Sequence, residues 1–220
     1  MRFELEPLLT PDQASRICGR LRSSSDWRSG QDTAGWHARA VKTNQQLDRS
    51  SPLHHELLAE LKPLLAGHPL IQAAAFPRSI HSLLFSRCGP GEGYGRHVDN
   101  AWMAAGRSDL SFTVFLSSPA DYEGGALTLE TPGGSERYRL PAGHGLVYPS
   151  TQLHSVEPVL TGERLVLVGW IESRIREAEQ RELLFELDTA RRALFARSGK
   201  DEVFDLISRS YSNLLRRWDR

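Results

Sequence analysis

Apolar positions follow helical spacing near the N-terminus, alternate with polar ones through the middle, and return to helical spacing after residue 173. Thr10-Pro11-Asp12-Gln13 reads as a helix start, with Thr as N-cap, Pro in the first turn and Gln at the capping-box position. Ile17, Cys18 and Leu21 supply its apolar stripe. Residues 23–35 are rich in Ser, Gly and Asp and predict a loop, and 41–47 is too polar for a core strand. Ser51-Pro52 opens a second helix with Leu53, Leu57, Leu61, Leu64 and Leu65 at helical spacing, ended by Gly67-His68-Pro69. From residue 70 the pattern predicts short strands at 70–75, 79–87, 110–116, 126–130, 136–140, 145–148, 152–157 and 164–171. Pro119-Ala120-Asp121, Glu123-Gly124-Gly125, Thr131-Pro132-Gly133-Gly134 and Pro141-Ala142-Gly143 punctuate them.

Such spacing predicts a sandwich or barrel, and a double-sheet jelly roll suits a metal site held between sheets. The expected fold is mainly β with flanking helices: a double-stranded β-helix (jelly roll) core plus a C-terminal helical segment. Leu183, Leu184, Leu187, Ala190, Leu194 and Phe195 form one late stripe; Val203, Leu206, Ile207, Leu214, Leu215 and Trp218 form another, with Ser198-Gly199 between them. The mixed charges there read as solvated faces. The expected division is an N-terminal helical and strand region at 1–75 packing on the core, the jelly-roll core at 76–173, and a C-terminal helical cap or homodimer contact at 174–220. No internal repeat or low-complexity tract is visible.

The 220 residues carry 27 basic and 27 acidic side chains. A zero net charge gives no field toward nucleic acid or a membrane surface, so neither is an expected partner. No apolar run reaches bilayer-spanning length, and the N-terminus lacks the order of a signal peptide. Cys18 and Cys88 read as reduced thiols rather than a disulfide framework. A cytoplasmic location is the resulting expectation.

The candidate chemistry centres on Tyr94-Gly95-Arg96-His97-Val98-Asp99-Asn100, which follows an apolar run, Ser82-Leu83-Leu84-Phe85, and a Gly-rich turn at 89–93. A histidine and a carboxylate two residues apart on an extended segment point to one side. His154 is a third candidate ligand, with Arg164 ten residues beyond it. Two histidines and a carboxylate can occupy one face of an octahedral metal and leave the other positions open, the facial triad of non-haem Fe(II) oxygenases. Taken singly, each residue has a plainer role as a core or surface histidine or an ion-paired arginine; it is the set, in this order, that carries chemistry.

The stretches Val41-Lys42-Thr43-Asn44-Gln45-Gln46-Leu47, Tyr94–Ala101, Gly124-Gly125-Ala126-Leu127, Tyr148–Val156, Gly162-Glu163-Arg164 and Gly169–Ser173 resemble the Fe(II)/2-oxoglutarate-dependent dioxygenases. Within them the chain is most similar to the bacterial PKHD-type hydroxylases, grouped with the prolyl-4-hydroxylase branch. The resemblance implies Fe(II) at His97, Asp99 and His154, 2-oxoglutarate as cosubstrate at Arg164, O2 as co-reactant and L-ascorbate as a candidate further cofactor. It also implies hydroxylation of an amino-acid side chain, a peptide or an iron-uptake-related small molecule. Because Asp99 is retained, no ligand position is left for a halide, and a hydroxylated product is expected.

A simple hairpin pairing 152–157 with 164–171 across Leu160–Glu163 would put His154, Arg164, Val166, Val168 and Trp170 on one face, with His154 and Arg164 roughly 13 Å apart. A short dicarboxylate chelating metal at one end and meeting a guanidinium at the other fits that gap. Tyr94 has two readings, a phenol donating to the cosubstrate carboxylate or a packing aromatic; Phe85 reads as core. Asn100 either orients Asp99 or lines the pocket. Lys42, Asn44 and Gln46 either line a wall of the substrate cleft or sit on an exposed edge strand. Trp102 and Met103 suit a lid. His37, His54, His55, His68, His81 and His144 form no second metal spacing, and His54 and His55 are expected to face solvent. Two other classes stay open: a cupin-like jelly-roll metalloenzyme, which needs neither Arg164 nor Tyr94, and a sensor of iron or 2-oxoglutarate without turnover.

Overall fold

Alternation along the middle of the chain resolves into two facing antiparallel sheets. The computed structural model describes residues 1–33, 35 and 39–219, so His37 lies outside the described residues. The first elements are β1 (Phe3–Leu5), α1 (Pro11–Arg22), β2 (Trp27–Ser29), β3 (Gln45–Leu47), α2 (Pro52–Gly67), β4 (Pro77–Cys88), β5 (Tyr94–His97), β6 (Trp102–Met103) and β7 (Gly106–Arg107). They are followed by β8 (Leu110–Phe115), β9 (Tyr122–Gly124), β10 (Leu127–Thr131), β11 (Gly134–Tyr138), β12 (Gly145–Pro149), β13 (His154–Val156), β14 (Val159–Gly162), β15 (Arg164–Ser173), α3 (Ala178–Ser198) and α4 (Glu202–Trp218).

A large sheet has the order β1-β12-β8-β15-β4-β3-β2, and a small sheet the order β11-β10-β13-β5. Residues 1–75 thus supply both edges of the large sheet. Its two faces have different tasks. Leu165, Leu167, Phe85, Phe112 and Val114 belong to one cluster with Ile17 and Leu21 of α1 and Leu57, Leu61 and Leu65 of α2. The other face, with Phe115, Tyr148 and Val166, meets Leu127 and Leu129 of the small sheet. Each fully buried Leu or Phe contributes about 2 kcal/mol by its removal from water. The capping box at α1 forms as expected, Gln13 N donating to Thr10 Oγ1 and Thr10 N to Gln13 Oε1.

Several expectations are corrected. The run 70–75 is a π-helical turn, Ile71–Ala75, not a strand. Its apolar residues are buried among helices, and a short apolar run has no period that separates the two cases. The presumed loop at 23–35 contains β2 and a 3-10 turn at Gly30–Thr33. β3 is not an exposed edge: it lies between β2 and β4. His54 is buried, with its ring edge-on to Phe85 at 5.8 Å, whereas His55 faces solvent.

The supposed hairpin also fails. β13 pairs with β10 and β5 in the small sheet, while β15 pairs with β4 and β8 in the large one. Residues expected to turn form β14, which pairs with β9. At the C-terminus, α3 buries Arg181, Leu184 and Asp188, whereas α4 buries no residue. Among the described residues no helix is long and apolar enough to cross a membrane.

Candidate metal centre

The small sheet places the two histidines. His154 on β13 stands directly opposite His97 at the end of β5, so both rings leave the same face, with centroids 4.2 Å apart. A register shift between His154 and Val156 sets Tyr94 against Val156. This bulge lets residues three apart share a face, and the Tyr94 ring stacks on His97 at 3.5 Å. Asp99, just past the strand end, completes the group: its Oδ1 lies 3.9 Å from His97 Nε2 and its Oδ2 3.9 Å from His154 Nε2. One ligand atom from each of the three lies within 4.8 Å of the others.

The tautomers are set by the backbone. His97 Nδ1 lies 2.8 Å from Gly95 O, and His154 Nδ1 lies 2.9 Å from Gln152 O. A carbonyl only accepts, so each Nδ1 donates, and the neutral form of each ring turns its Nε2 lone pair toward Asp99. Burial, followed by the neighbouring His154, pushes the His97 pKa down to about 4, which keeps that ring neutral at physiological pH. Asp99 is oriented in turn by Ser111 Oγ at 2.5 Å and Trp170 Nε1 at 3.0 Å, both donating to Oδ2. Ser111 is also linked to Ser150 at 2.7 Å. Outer groups of this kind fix ligand geometry.

The three face a cavity of about 350 Å³ between the sheets. Arg164, Val166, Val168 and Trp170 of β15 all line it. The predicted alternation therefore holds although the predicted pairing does not, because the second strand faces the first across the sandwich. Arg164 is 2% exposed, its guanidinium 5.5 Å from the Phe115 ring. Its Nε has no hydrogen-bond partner among the described residues.

Lys42, Asn44 and Gln46 are buried and line the cavity, Lys42 where its backbone bridges Tyr94 at the edge of the triad's sheet and Gln46 on the large sheet beside β4. Polar side chains at alternate positions thus face an enclosed space rather than water. Asn44 Nδ2 donates to Ser86 Oγ at 2.6 Å. The Lys42 ammonium sits 5.0 Å from the Tyr94 ring centre, and burial lowers its pKa to about 8 against the opposing pull of Asp99. Burial and then Asp99 push the Tyr94 phenol up to about 12, so it stays a donor. Asn100 and Met103 line the mouth, but Trp102 is 66% exposed and outside the lining.

The family model for the 2OG-Fe(II) oxygenase superfamily matches residues 83–172, and that for the PKHD-type hydroxylase C-terminal domain matches 179–219. A PKHD-type hydroxylase of Picosynechococcus is 49% identical over 218 residues, and one of Synechococcus elongatus 51% over 222, each alignment covering 99% of both chains. The chain belongs to the PKHD-type hydroxylases. Among solved structures, a Pseudomonas putida prolyl-4-hydroxylase superposes with a TM-score of 0.57 at 21% identity, covering 79% of this chain and 92% of that one. A Trichoplax adhaerens prolyl hydroxylase in complex with a peptide fragment gives 0.56 at 14%, covering 83% and 86%. These two establish the jelly-roll type of fold.

As a PKHD-type hydroxylase the chain is an oxidoreductase of a family that uses Fe(II) and 2-oxoglutarate. The sequence alone missed Ser111, Ser150 and Tyr148. Tyr148 packs edge-on against His154 at 5.1 Å, and its burial raises its phenol pKa. Every residue of β8 is buried, so Ser111 reads in sequence as one more member of an interior strand. A Ser and Thr at alternate positions of an otherwise apolar run, Ser111 and Thr113, were the available signal.

Proposed function

We propose that this hydroxylase holds Fe(II) through Nε2 of His97, the Asp99 carboxylate and Nε2 of His154, and seats the far carboxylate of 2-oxoglutarate on Arg164. The observation that carries this reading is the buried Arg164. A guanidinium removed from water without an anion is costly, and it opens onto the same cavity as the three ligands. A dicarboxylate reaching from the metal to Arg164 supplies the missing charge, with a charge-assisted fork at one end. The donor set, two neutral imidazoles and a carboxylate, suits a divalent first-row metal and leaves open positions.

When bound, the metal supplies O2 activation, coupling the breakdown of 2-oxoglutarate to succinate and CO2 with hydroxylation of substrate. The chain's own residues hold and orient. Ser111 and Trp170 aim Asp99, the carbonyls of Gly95 and Gln152 fix the imidazoles, and the Tyr94 phenol donates to a cosubstrate oxygen. Val166, Val168 and Leu127 exclude water. L-ascorbate fits as a reductant that keeps the iron divalent. The substrate is an amino-acid side chain, a peptide or an iron-uptake-related small molecule. Residues 1–75, 76–173 and 174–220 form the N-terminal region, the catalytic core and the C-terminal cap.

The test is anaerobic binding of Fe(II) and 2-oxoglutarate followed by O2 and measurement of succinate. Binding of both with succinate release is expected. Iron binding with no affinity for 2-oxoglutarate would instead favour a cupin-like metalloenzyme. Tight binding of both with no succinate, with or without candidate substrates, would favour a sensor.

A further inference from the structure

α4 is apolar over more of its circumference than α3 covers. Phe204 meets the Phe195 ring at 5.1 Å, and the Tyr211 ring lies 4.5 Å from the Arg191 guanidinium, so positions 204 and 211 mark the side turned to α3. Beside that side runs a second line, Val203, Ile207, Ser210, Leu214 and Arg217, at alternating spacings of four and three. Such spacing keeps side chains on one helix face. Val203, Ser210 and Arg217 are exposed, as is Leu206 next to them, while Ile207 and Leu214 are half-buried. No residue of α4 is fully buried, so this line lies open along the helix.

The ends of the line carry opposite charge. Glu202 stands in the first turn of α4 and Arg217 in the last, and both are exposed. A second copy of the helix laid parallel would set Glu202 against Glu202 and Arg217 against Arg217. Laid antiparallel, it sets each charge against its opposite. Centring that antiparallel pair on Ser210 also matches the apolar side chains. Ile207 then falls opposite Leu214 of the partner subunit, and Val203 opposite the aliphatic stem of Arg217 of the partner subunit. The small Ser210 side chains meet at the two-fold axis, where they let the helices approach. Every contact occurs twice, as an isologous interface requires.

We propose that α4 is a homodimer surface, pairing antiparallel with α4 of a second copy of this chain and centred on Ser210. The proposal is independent of the hydroxylase reading, since no α4 residue lines the cavity. From Val203 to Arg217 the line spans roughly 21 Å at 1.5 Å per residue. That is a small interface, so association depends on protein concentration.

The test begins with sedimentation of the full chain between about 1 μM and 1 mM. The mass is expected to rise with concentration from 24.7 kDa toward twice that value. Ser210→Glu places two like charges at the axis and should hold the mass at that of one chain. Cross-linking then reads the geometry, with Cys18 and Cys88 both buried. Under mild oxidation Ser210→Cys should link two chains. Val203→Cys should not, because its two copies lie roughly 21 Å apart along the pair. A mixture of Val203→Cys with Arg217→Cys should link.

A one-chain mass at the highest concentration overturns the proposal, and so does a dimer that persists in Ser210→Glu. Val203→Cys linking as readily as Ser210→Cys also overturns it, because the helices would then run parallel or meet through the turn between α3 and α4. If Ser210→Glu lowers the melting temperature of the dilute protein, the cross-linking pattern decides, since those variants add no charge at the axis.

Discussion

Arg164 and Asp99 pose opposite electrostatic problems in one cavity. Among the described residues the guanidinium has no carboxylate partner, whereas the Asp99 carboxylate already accepts from Ser111 and Trp170. Replacing Arg164 with Met is expected to cost roughly 2–3 kcal/mol of 2-oxoglutarate binding, about 30- to 150-fold in Kd, with iron affinity unchanged. Anaerobic calorimetry reads both, and an unaltered 2-oxoglutarate affinity would take Arg164 out of the cosubstrate site. Ser111→Ala removes one of the two donors that aim Asp99, and metal affinity should fall about 10- to 100-fold, measured by competition with a chelator. His97 gives a pH signature. Its folded pKa, about 4, lies below the ordinary histidine value of 6.5, so below pH 6.5 the unfolded chain binds a proton that the fold excludes. Its contribution to apoprotein stability is present above pH 6.5 and is lost as pH falls toward 4, by about 2–3 kcal/mol. Urea midpoints at pH 7.5 and 4.5 should differ less in His97→Gln than in the unaltered chain. That His97, Asp99 and His154 converge, with Arg164 on the same cavity, was legible because their spacing carries the pattern. Ser111 was not, because only the folding of the segment after β5 over the large sheet brings Asp99, twelve positions away, within its hydrogen-bond reach.

At the level of elements, side-chain alternation was readable and strand pairing was not. Residues 164, 166, 168 and 170 face the cavity as their period of two demands. Their partners are β4 and β8 rather than β13, because the chain leaves the small sheet at β13, pairs with β9 through β14, and only then enters the large sheet. The short connection at Leu160–Glu163 looked like a hairpin turn for that reason. The same strand carries an irregularity that no alternation predicts. Val168 pairs with Leu84 but Trp170 with His81, so one residue is extra on β4. Ser82 there takes a φ of 55°, the left-handed region that costs a non-glycine residue roughly 1 kcal/mol. The bulge brings Ser82 to the cavity and Gly169 against the Phe112 ring. A Cβ on Gly169 would lie 2.7 Å from Phe112 Cζ and 3.2 Å from Leu83 Cγ. Gly169→Ala is therefore expected to destabilise by about 1–3 kcal/mol through overpacking. It should also raise substrate KM more than Fe(II) Kd, since Trp170 beside it still reaches Asp99. A variant of unchanged melting temperature would show that this strand junction tolerates the added methyl.

For the whole molecule, the two ends of the chain stand in different relations to the cavity. Residues 1–75 supply the β3 wall and both sheet edges, so the cavity is incomplete without them. The C-terminal segment stands outside it: no residue of α3 or α4 lines the cavity. The two helices are not equivalent, though. α3 buries Leu184 completely, and Arg181 reaches back from it to donate to the carbonyls of Ile175 and Arg176 at 2.7 and 2.8 Å. α4 buries nothing, and Val203 and Leu206 on it are 55% and 61% exposed. Its ties are the Phe204 ring against Phe195 at 5.1 Å, the Arg191 guanidinium 4.5 Å from the Tyr211 ring, a backbone bridge of Asp219 with Ile175, and surface ion pairs of Asp219 with Arg78 and Arg174 at 3.4 and 3.7 Å, the ion pairs each worth under about 1 kcal/mol. Ending the chain after Ser198 should accordingly lower the melting temperature by only a few degrees and leave iron and 2-oxoglutarate binding intact. Ending it after Glu177 removes Leu184 and Arg181, uncovers the apolar turn at Ile71–Ala75, and should cost more than about 3 kcal/mol. Thermal unfolding of the two truncated chains decides the matter: equal losses would mean that α4 supports the core through contacts its exposure does not reveal.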